Sequence, residues 1–463
     1  VITHRYAGLV MGLLMLLWFA SGVGMLFIRW PEVTEAEREA GLPPITWSAC
    51  CEFGETPDVR EVARASVEDL AGRPVLRFDG EVLDLTTGWP ITEVTADDAA
   101  RIAAAYARAH GVAGAPSAPD RTVRDQWTVT GYFDARRPFW RFRFDDPAAT
   151  DVYVSAKTGV VAQVTDRPER ILSWLGPIPH WLYPEALRAD LKLWTQVVIW
   201  TSVAGMFLTV TGVYLGIVAW RPWRDQRLTP YRGLMAWHHL GGLAAGVLTL
   251  SWVASGLLSM QPWGILESGP DERPSRMTGS VSFGDVREAV TAAASTGIVA
   301  RRLETAPLSG HVFLVESALR LDRRGEATPL ADADLAEAAR RLGPVRRAEL
   351  ITTEDAYYFG HHEAVELPAY RVELTDGVRF YLSPASGGVL ARIDAAAKQN
   401  RWLFEAPHRL DFIRGLDRGP GWAAVVTALL LFCMVGVGSG VWLAWRRVKA
   451  DVALLRRPRR TSR

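Results

Sequence analysis

Apolar residues gather into four blocks, at positions 7–28, 196–218, 240–260 and 423–445, separated by two long stretches of mixed polarity. Each block has about the 20 residues of helix needed to cross a hydrocarbon core of about 30 Å. The pattern predicts four transmembrane helices. The first block outruns the apolar core of a signal peptide, and Arg29, Trp30 and Pro31 stand where small residues would mark cleavage, so it is expected to stay attached. The chain starts at Val1 rather than Met, so a preceding segment is expected.

Between the first and second blocks the periodicity changes. Residues 96–110 read as a helix with Thr95 as N-cap, Asp97 and Asp98 in the first turn and a stop at Gly111. Runs at 126–133, 139–144 and 152–155 read as strands, closed by a turn at 157–159. Between the third and fourth blocks, 332–342 reads as the helix and 357–359, 370–374 and 380–383 as the strands. The simplest expectation is two antiparallel α+β modules, one in each long stretch.

The two halves repeat. HRYAGLVMGLLMLLWFASG and HHLGGLAAGVLTLSWVASG superpose without a gap, placing His4 on His238, Gly8 on Gly242, Gly12 on Gly246, Trp18 on Trp252, Ser21 on Ser255 and Gly22 on Gly256. Further along, Trp174 falls on Trp402, Pro179 on Pro407, His180 on His408, Trp194 on Trp422 and Gly212 on Gly440. VYVSAKTGVV matches FYLSPASGGV, and RPFWRFRF matches LPAYRVEL. An internal duplication of helix, α+β domain and helix explains the pattern.

Composition alone would not single out a membrane protein, although 19 Trp in 463 residues is a high count, and the formal net charge of +1 argues against a nucleic-acid partner. Charge position is more informative. Arg221, Arg224, Arg227 and Arg232 crowd the link between the second and third blocks, and Arg446, Arg447, Lys449, Arg456, Arg457, Arg459 and Arg460 crowd the end of the chain. The positive-inside tendency puts both in the cytoplasm and both long stretches on the far side, the periplasm if the bilayer is a Gram-negative inner membrane. The expected organisation is a first helix at 1–30, a periplasmic domain at 31–176, a His-bearing segment and second helix at 177–220, and a cytoplasmic loop at 221–236. A third helix follows at 237–262, then a second periplasmic domain at 263–398, a His segment and fourth helix at 399–446, and a cytoplasmic tail at 447–463.

The Tyr-Val-Ser and Tyr-Leu-Ser strands followed by Thr-Gly and Ser-Gly resemble the PepSY domain. GPIPHWLYPEALR, LWTQVVIW, YRGLMAWHHLGG and APHRLDF resemble the helices of PepSY-associated transmembrane proteins. The likeness spans nearly the whole chain. It implies an iron-regulated inner-membrane protein, and for some family members a ferric-siderophore reductase that holds two haems.

Five of the nine histidines, His4, His180, His238, His239 and His408, lie at or near the apolar blocks, where an ionisable residue is costly and a functional role is the default. Facing pairs His4 with His238, near the cytoplasmic edge, and His180 with His408, near the periplasmic edge, would supply axial imidazoles to two haem b groups. Gly8, Gly12, Gly242 and Gly246 either leave room for the macrocycle or let helices pack closely. His239 is expected as a substitute ligand or a propionate partner, with Arg5 in the latter role.

Other features read as structural. His361 and His362 sit in a surface loop, His110 ends a helix and His311 lies in a strand. GVGSG at 436–440 lies inside an apolar helix with no preceding strand, so helix packing outweighs nucleotide binding. A bridge between adjacent Cys50 and Cys51 would close a strained ring, so a structural or incidental role is expected of them, with redox chemistry as the alternative; Cys433 is expected to be buried. With no nucleotide fingerprint, the electron donor is expected to be a separate reductase or a quinol. The predicted activity is reduction of a ferric siderophore or other ferric chelate, docking near the periplasmic haem, with Trp174, Trp181 and Trp402 as walls or as interfacial anchors. A membrane-anchored PepSY module that binds a protease or cell-envelope partner is the non-enzymatic alternative, and a permease is disfavoured by the lack of charged or broken helices.

Overall fold

The computed structural model describes residues 2–220, 228–317, 319–360, 364–412 and 419–455. Arg221, Arg224, Arg227, His361, His362 and the arginines after Leu455 lie outside the described residues. The chain divides into two compact units, Val1–Trp30, Glu169–Glu267 and Gln399–Arg463 forming one, Pro31–Pro168 and Ser268–Lys398 the other.

The first unit contains four helices long and apolar enough to cross a membrane, Ile2–Met25, Leu191–Ala219, Leu234–Ser259 and Pro420–Ala453. The first packs on the second and fourth, and the third also packs on the second and fourth. Their shared interior holds Met15, Phe19, Leu208, Ala245, Trp252, Val253, Val426, Leu430 and Cys433. Val10, Leu13, Leu17, Phe207, Val210, Val247, Val435 and Trp442 point outward and are exposed. Helices apolar on their outer as well as inner surfaces suit a lipid environment and would be unfavourable in water. This is a membrane protein by the length and composition of its helices.

The second unit is α+β, with three antiparallel sheets. A six-stranded sheet runs, in spatial order, Leu319–Leu321, Leu314–Glu316, Arg302–Thr305, Ala65–Leu70, Arg73–Phe78 and Glu81–Asp84. Its centre joins the two long stretches, because Ser66, Val67 and Glu68 pair with Glu304, Leu303 and Arg302. The sequence reading expected two antiparallel modules, one in each stretch; the two stretches also contribute three strands each to this common sheet. Its core packs Val67, Leu76, Leu303 and Leu314 against Phe283, Val286, Ala289 and Val290 of a helix, Phe283–Thr296. Ser282 and Asp285 form a capping box at the start of that helix, and Gly297, at φ 63°, ends it.

Each stretch also keeps a four-stranded sheet of its own. Asp120–Thr122, Phe139–Arg143, Asp151–Ser155 and Val161–Thr165 form one, covered by Ala96–Ala109. Val345–Ile351, Ala369–Leu374, Arg379–Leu382 and Val389–Ile393 form the other, covered by Asp332–Leu342. The runs expected as strands at 126–133 and 357–359 are not strands. Asp125 accepts from the amides of Trp127 and Thr128, and Asp355 from those of Tyr357 and Tyr358. These side-chain turns compete with the ladder and end it. The same two aspartates accept from buried Tyr153 and Tyr381 at 2.8 Å and face Arg141 and Arg371. Cys50 and Cys51 are joined to each other, so the bridge that their adjacency disfavoured does form.

Candidate haem-binding site

Two short helices, Pro177–Trp181 and Ala406–Arg409, carry His180 and His408. Each ends at a leucine in the left-handed region, Leu182 at φ 54° and Leu410 at φ 53°. Each is pinned by a tryptophan of the long helix that follows: Trp194 donates to the carbonyl of Trp181 at 2.9 Å, and Trp422 to that of Arg409 at 3.0 Å. The second short helix is bracketed by an ion pair of Arg401 with Asp411 at 2.8 Å, both side chains under a tenth exposed. These supports bring His180 and His408 together edge-on, with ring centres 6.2 Å apart and planes inclined at 62°.

That spacing suits a shared metal centre. With metal–imidazole bonds of about 2.0–2.1 Å and about 1.1 Å from nitrogen to ring centre, two imidazoles holding one metal ion between them would have their centres up to about 6.3 Å apart. Crowding by protein lowers the pKa of His180 to about 4. The same burial, with smaller effects of His180 and Arg409, lowers that of His408 to about 3. Both rings are therefore neutral near pH 7, the state that donates a lone pair to a metal.

The other two histidines lie in helices. His4 is in the first turn of Ile2–Met25, and His238 near the start of Leu234–Ser259, within electrostatic reach of each other. His4 donates from Nδ1 to the carbonyl of Leu208 at 3.2 Å, with Thr211 Oγ at 3.5 Å. His238 donates from Nδ1 to the carbonyl of Gly436 at 3.2 Å, with Ser439 Oγ at 3.1 Å. His180 Nδ1 lies 3.3 Å from both Ser21 Oγ and the Trp18 carbonyl, and His408 Nδ1 lies 3.1 Å from Ser255 Oγ. Among the described residues, no hydrogen bond engages Nε2 of any of the four.

Every one of these hydroxyls is followed by a glycine: Ser21-Gly22, Thr211-Gly212, Ser255-Gly256 and Ser439-Gly440. Added β-carbons at Gly212 and Gly440 would fall 2.6 Å from Cε1 of His4 and His238. At Gly22 and Gly256 they would come within 3.6 and 3.3 Å of Cε1 of His180 and His408. Four Ser/Thr-Gly seats thus hold four imidazoles. Sequence reasoning matched Ser21 with Ser255 and Gly212 with Gly440, and read Gly440 only as part of a helix-packing run; a small residue after a hydroxyl, repeated in every long helix, was the available signal.

The glycines singled out from the sequence fare differently. Gly12 packs against Val441 and Gly246 against Val213, so their role is close helix approach. Gly8 meets Leu208, and Gly242 has open space. His239 is no substitute ligand: Nε2 donates to the Gly216 carbonyl at 2.8 Å, and Nδ1 accepts from Thr229 Oγ at 2.8 Å. With both nitrogens committed it ties the chain ahead of the third helix to the second. Arg5 is half-buried and makes no ion pair among the described residues. Gly436–Gly440 lies within Pro420–Leu455, where Gly436 touches Ala245 and Gly440 seats His238. Trp174, Trp181 and Trp402 are exposed at 52%, 36% and 48%, as interfacial anchors would be.

Among the described residues no group of three or more His, Cys, Asp or Glu side chains is clustered to hold a metal ion. A separate cleft of about 530 Å³ in the second unit is lined by Asp271, Arg273, Arg276, Arg392 and Asp394. It is largely self-neutralised, since Arg273 and Arg392 share Asp271. Neither a family model nor a curated protein matches the chain.

Proposed function

We propose that this chain is an inner-membrane electron carrier that holds two haem b groups and reduces a ferric siderophore or another ferric chelate in the periplasm. The observation that carries the reading is the approach of His180 and His408 to 6.2 Å, each with Nδ1 engaged and Nε2 uncommitted. His4 and His238 form the second pair. Recurrence of the same contacts supports descent from a duplicated unit: Ser21 and Ser255 at the upper histidines, Leu208 and Gly436 at the lower ones, and Trp194 and Trp422 as pins. The likeness to PepSY-associated membrane proteins supports the same assignment, and the arginine-rich ends support an orientation with the lower pair toward the cytoplasm.

Haem b held between two imidazoles supplies a reversible one-electron iron couple. The protein's own contribution is position and insulation. The seats fix each imidazole, and Met15, Phe19, Leu208 and Trp252 fill the interior between the layers. Ser21 lies nearly five helical turns above His4, about 25 Å. Phe19 and Trp252 meet edge to face at 6.0 Å, and Trp252 donates to the His408 carbonyl at 3.0 Å, so packed aromatic atoms extend from the upper pair into that interval.

Each ferric ion takes one electron to become Fe(II), which binds hard oxygen chelates more weakly and is released. A quinol, losing two electrons and two protons, or a cytoplasmic reductase supplies them. The test is direct. Purified protein reduced anaerobically with one electron equivalent per haem, then mixed with a ferric hydroxamate, should reoxidise with one Fe(II) formed per electron lost. Reoxidation no faster than in buffer would reject the reductase assignment.

A further inference from the structure

The four seats do more than make room. Ser21 Oγ donates its proton to the Leu17 carbonyl at 2.7 Å, Ser255 to that of Trp252 at 3.1 Å, Thr211 to that of Leu208 at 2.9 Å and Ser439 to that of Gly436 at 2.7 Å. A hydroxyl whose proton is spent on a helix carbonyl can only accept from the imidazole beside it. Carbonyls reinforce this polarity at His4, His180 and His238, since a carbonyl never donates. All four rings are thereby held with the proton on Nδ1 and the lone pair on Nε2.

We infer that Ser21, Thr211, Ser255 and Ser439 are positioning residues that lock each imidazole in the Nδ1–H tautomer and strengthen Nε2 as a donor, so that they set the potentials of the two centres. The inference rests on the haem assignment above. Accepting a hydrogen bond from the distal ring nitrogen raises the basicity of the ligating one. A more basic ligand favours Fe(III) over Fe(II) and lowers the midpoint potential. Ser21 and Ser255 act on the upper pair, Thr211 and Ser439 on the lower. Ser255 and Ser439, the closest to their rings at 3.1 Å, should matter most, and Thr211 at 3.5 Å least.

The experiment is a redox titration of the full-length protein, read optically and by electron paramagnetic resonance of the oxidised centres, for wild type, Ser255→Ala, Ser255→Thr and Ser439→Ala. Ser255→Ala should move one midpoint upward and change one set of g-values, Ser439→Ala should move the other, and Ser255→Thr, which keeps the hydroxyl, should return toward wild type. If Ser255→Ala fails to retain its haem while Ser255→Thr retains it, the hydroxyl is again shown to be required. Alanine variants that keep both haems with unchanged midpoints and g-values would overturn the inference, as would equal haem loss from Ser255→Ala and Ser255→Thr. Wild-type protein without haem would instead reject the underlying assignment.

Discussion

At the residue scale, glycine and hydroxyl act together. Gly440 gives His238 the space a methyl group would occupy, since an added β-carbon would stand 2.6 Å from the ring. Gly440→Ala should therefore displace the imidazole and reduce haem content from two equivalents to one, as read by pyridine haemochrome analysis. His239 provides the contrast. It is 8% exposed and bonded through both nitrogens, so His239→Ala should leave haem content unchanged and cost about 1–3 kcal/mol of stability in urea unfolding. For haem-free protein the upper pair also makes a pH prediction. Its folded-state pKa values of about 4 and 3 lie below the ordinary imidazole value of 6.5, so protons bind the unfolded chain first. The stability linked to the pair is complete above about pH 6.5 and is lost progressively as pH falls from there through about 4 for His180 and about 3 for His408. His408→Phe should flatten the stability loss over that interval.

At the element scale, the short helix bearing His408 depends on a buried ion pair. Arg401→Met would remove the guanidinium that pairs with Asp411 at 2.8 Å, both side chains being under a tenth exposed, and so weaken the support of the short helix. The expected outcome is early melting of the upper site, with the upper haem lost on mild heating before the lower one. In the second unit the shared sheet makes both long stretches one cooperative element. Leu303 is fully buried in a strand paired on both edges, where proline removes a ladder donor. In Leu303→Pro, hydrogen exchange should accelerate at residues 65–70 as well as at 302–305; acceleration confined to 302–305 would mean that the stretches fold separately. The helices at 96–110 and 332–342 were legible because caps and apolar spacing agree there. The strand Ala65–Leu70 was not, since Glu68 and Asp69 are charged yet buried, Glu68 being paired with Arg77, and only the partner strands reveal why. Asp125 and Asp355 defeated the strand reading by making local turns that composition does not disclose.

At the scale of the whole molecule, the four apolar helices and the repeated histidines were legible because an apolar span and a recurrence of residue types at constant offset each stand out in one sequence. The seats of the imidazoles were not, because they depend on which helix packs on which. Gly12 and Gly246 share a helix with His4 and His238 yet serve packing, whereas Gly212 and Gly440, distant in sequence, meet the rings. The central claim is that two imidazole pairs each hold a haem within the membrane unit. The most direct measurement is the absorption spectrum of protein purified from haem-replete cells, before and after dithionite, with His408→Ala beside it. Wild type should show a Soret band that sharpens and shifts on reduction, with low-spin α bands for two haems per chain, and His408→Ala should lose one of them. A colourless wild-type preparation, or a two-haem spectrum unaltered in His408→Ala, would contradict it.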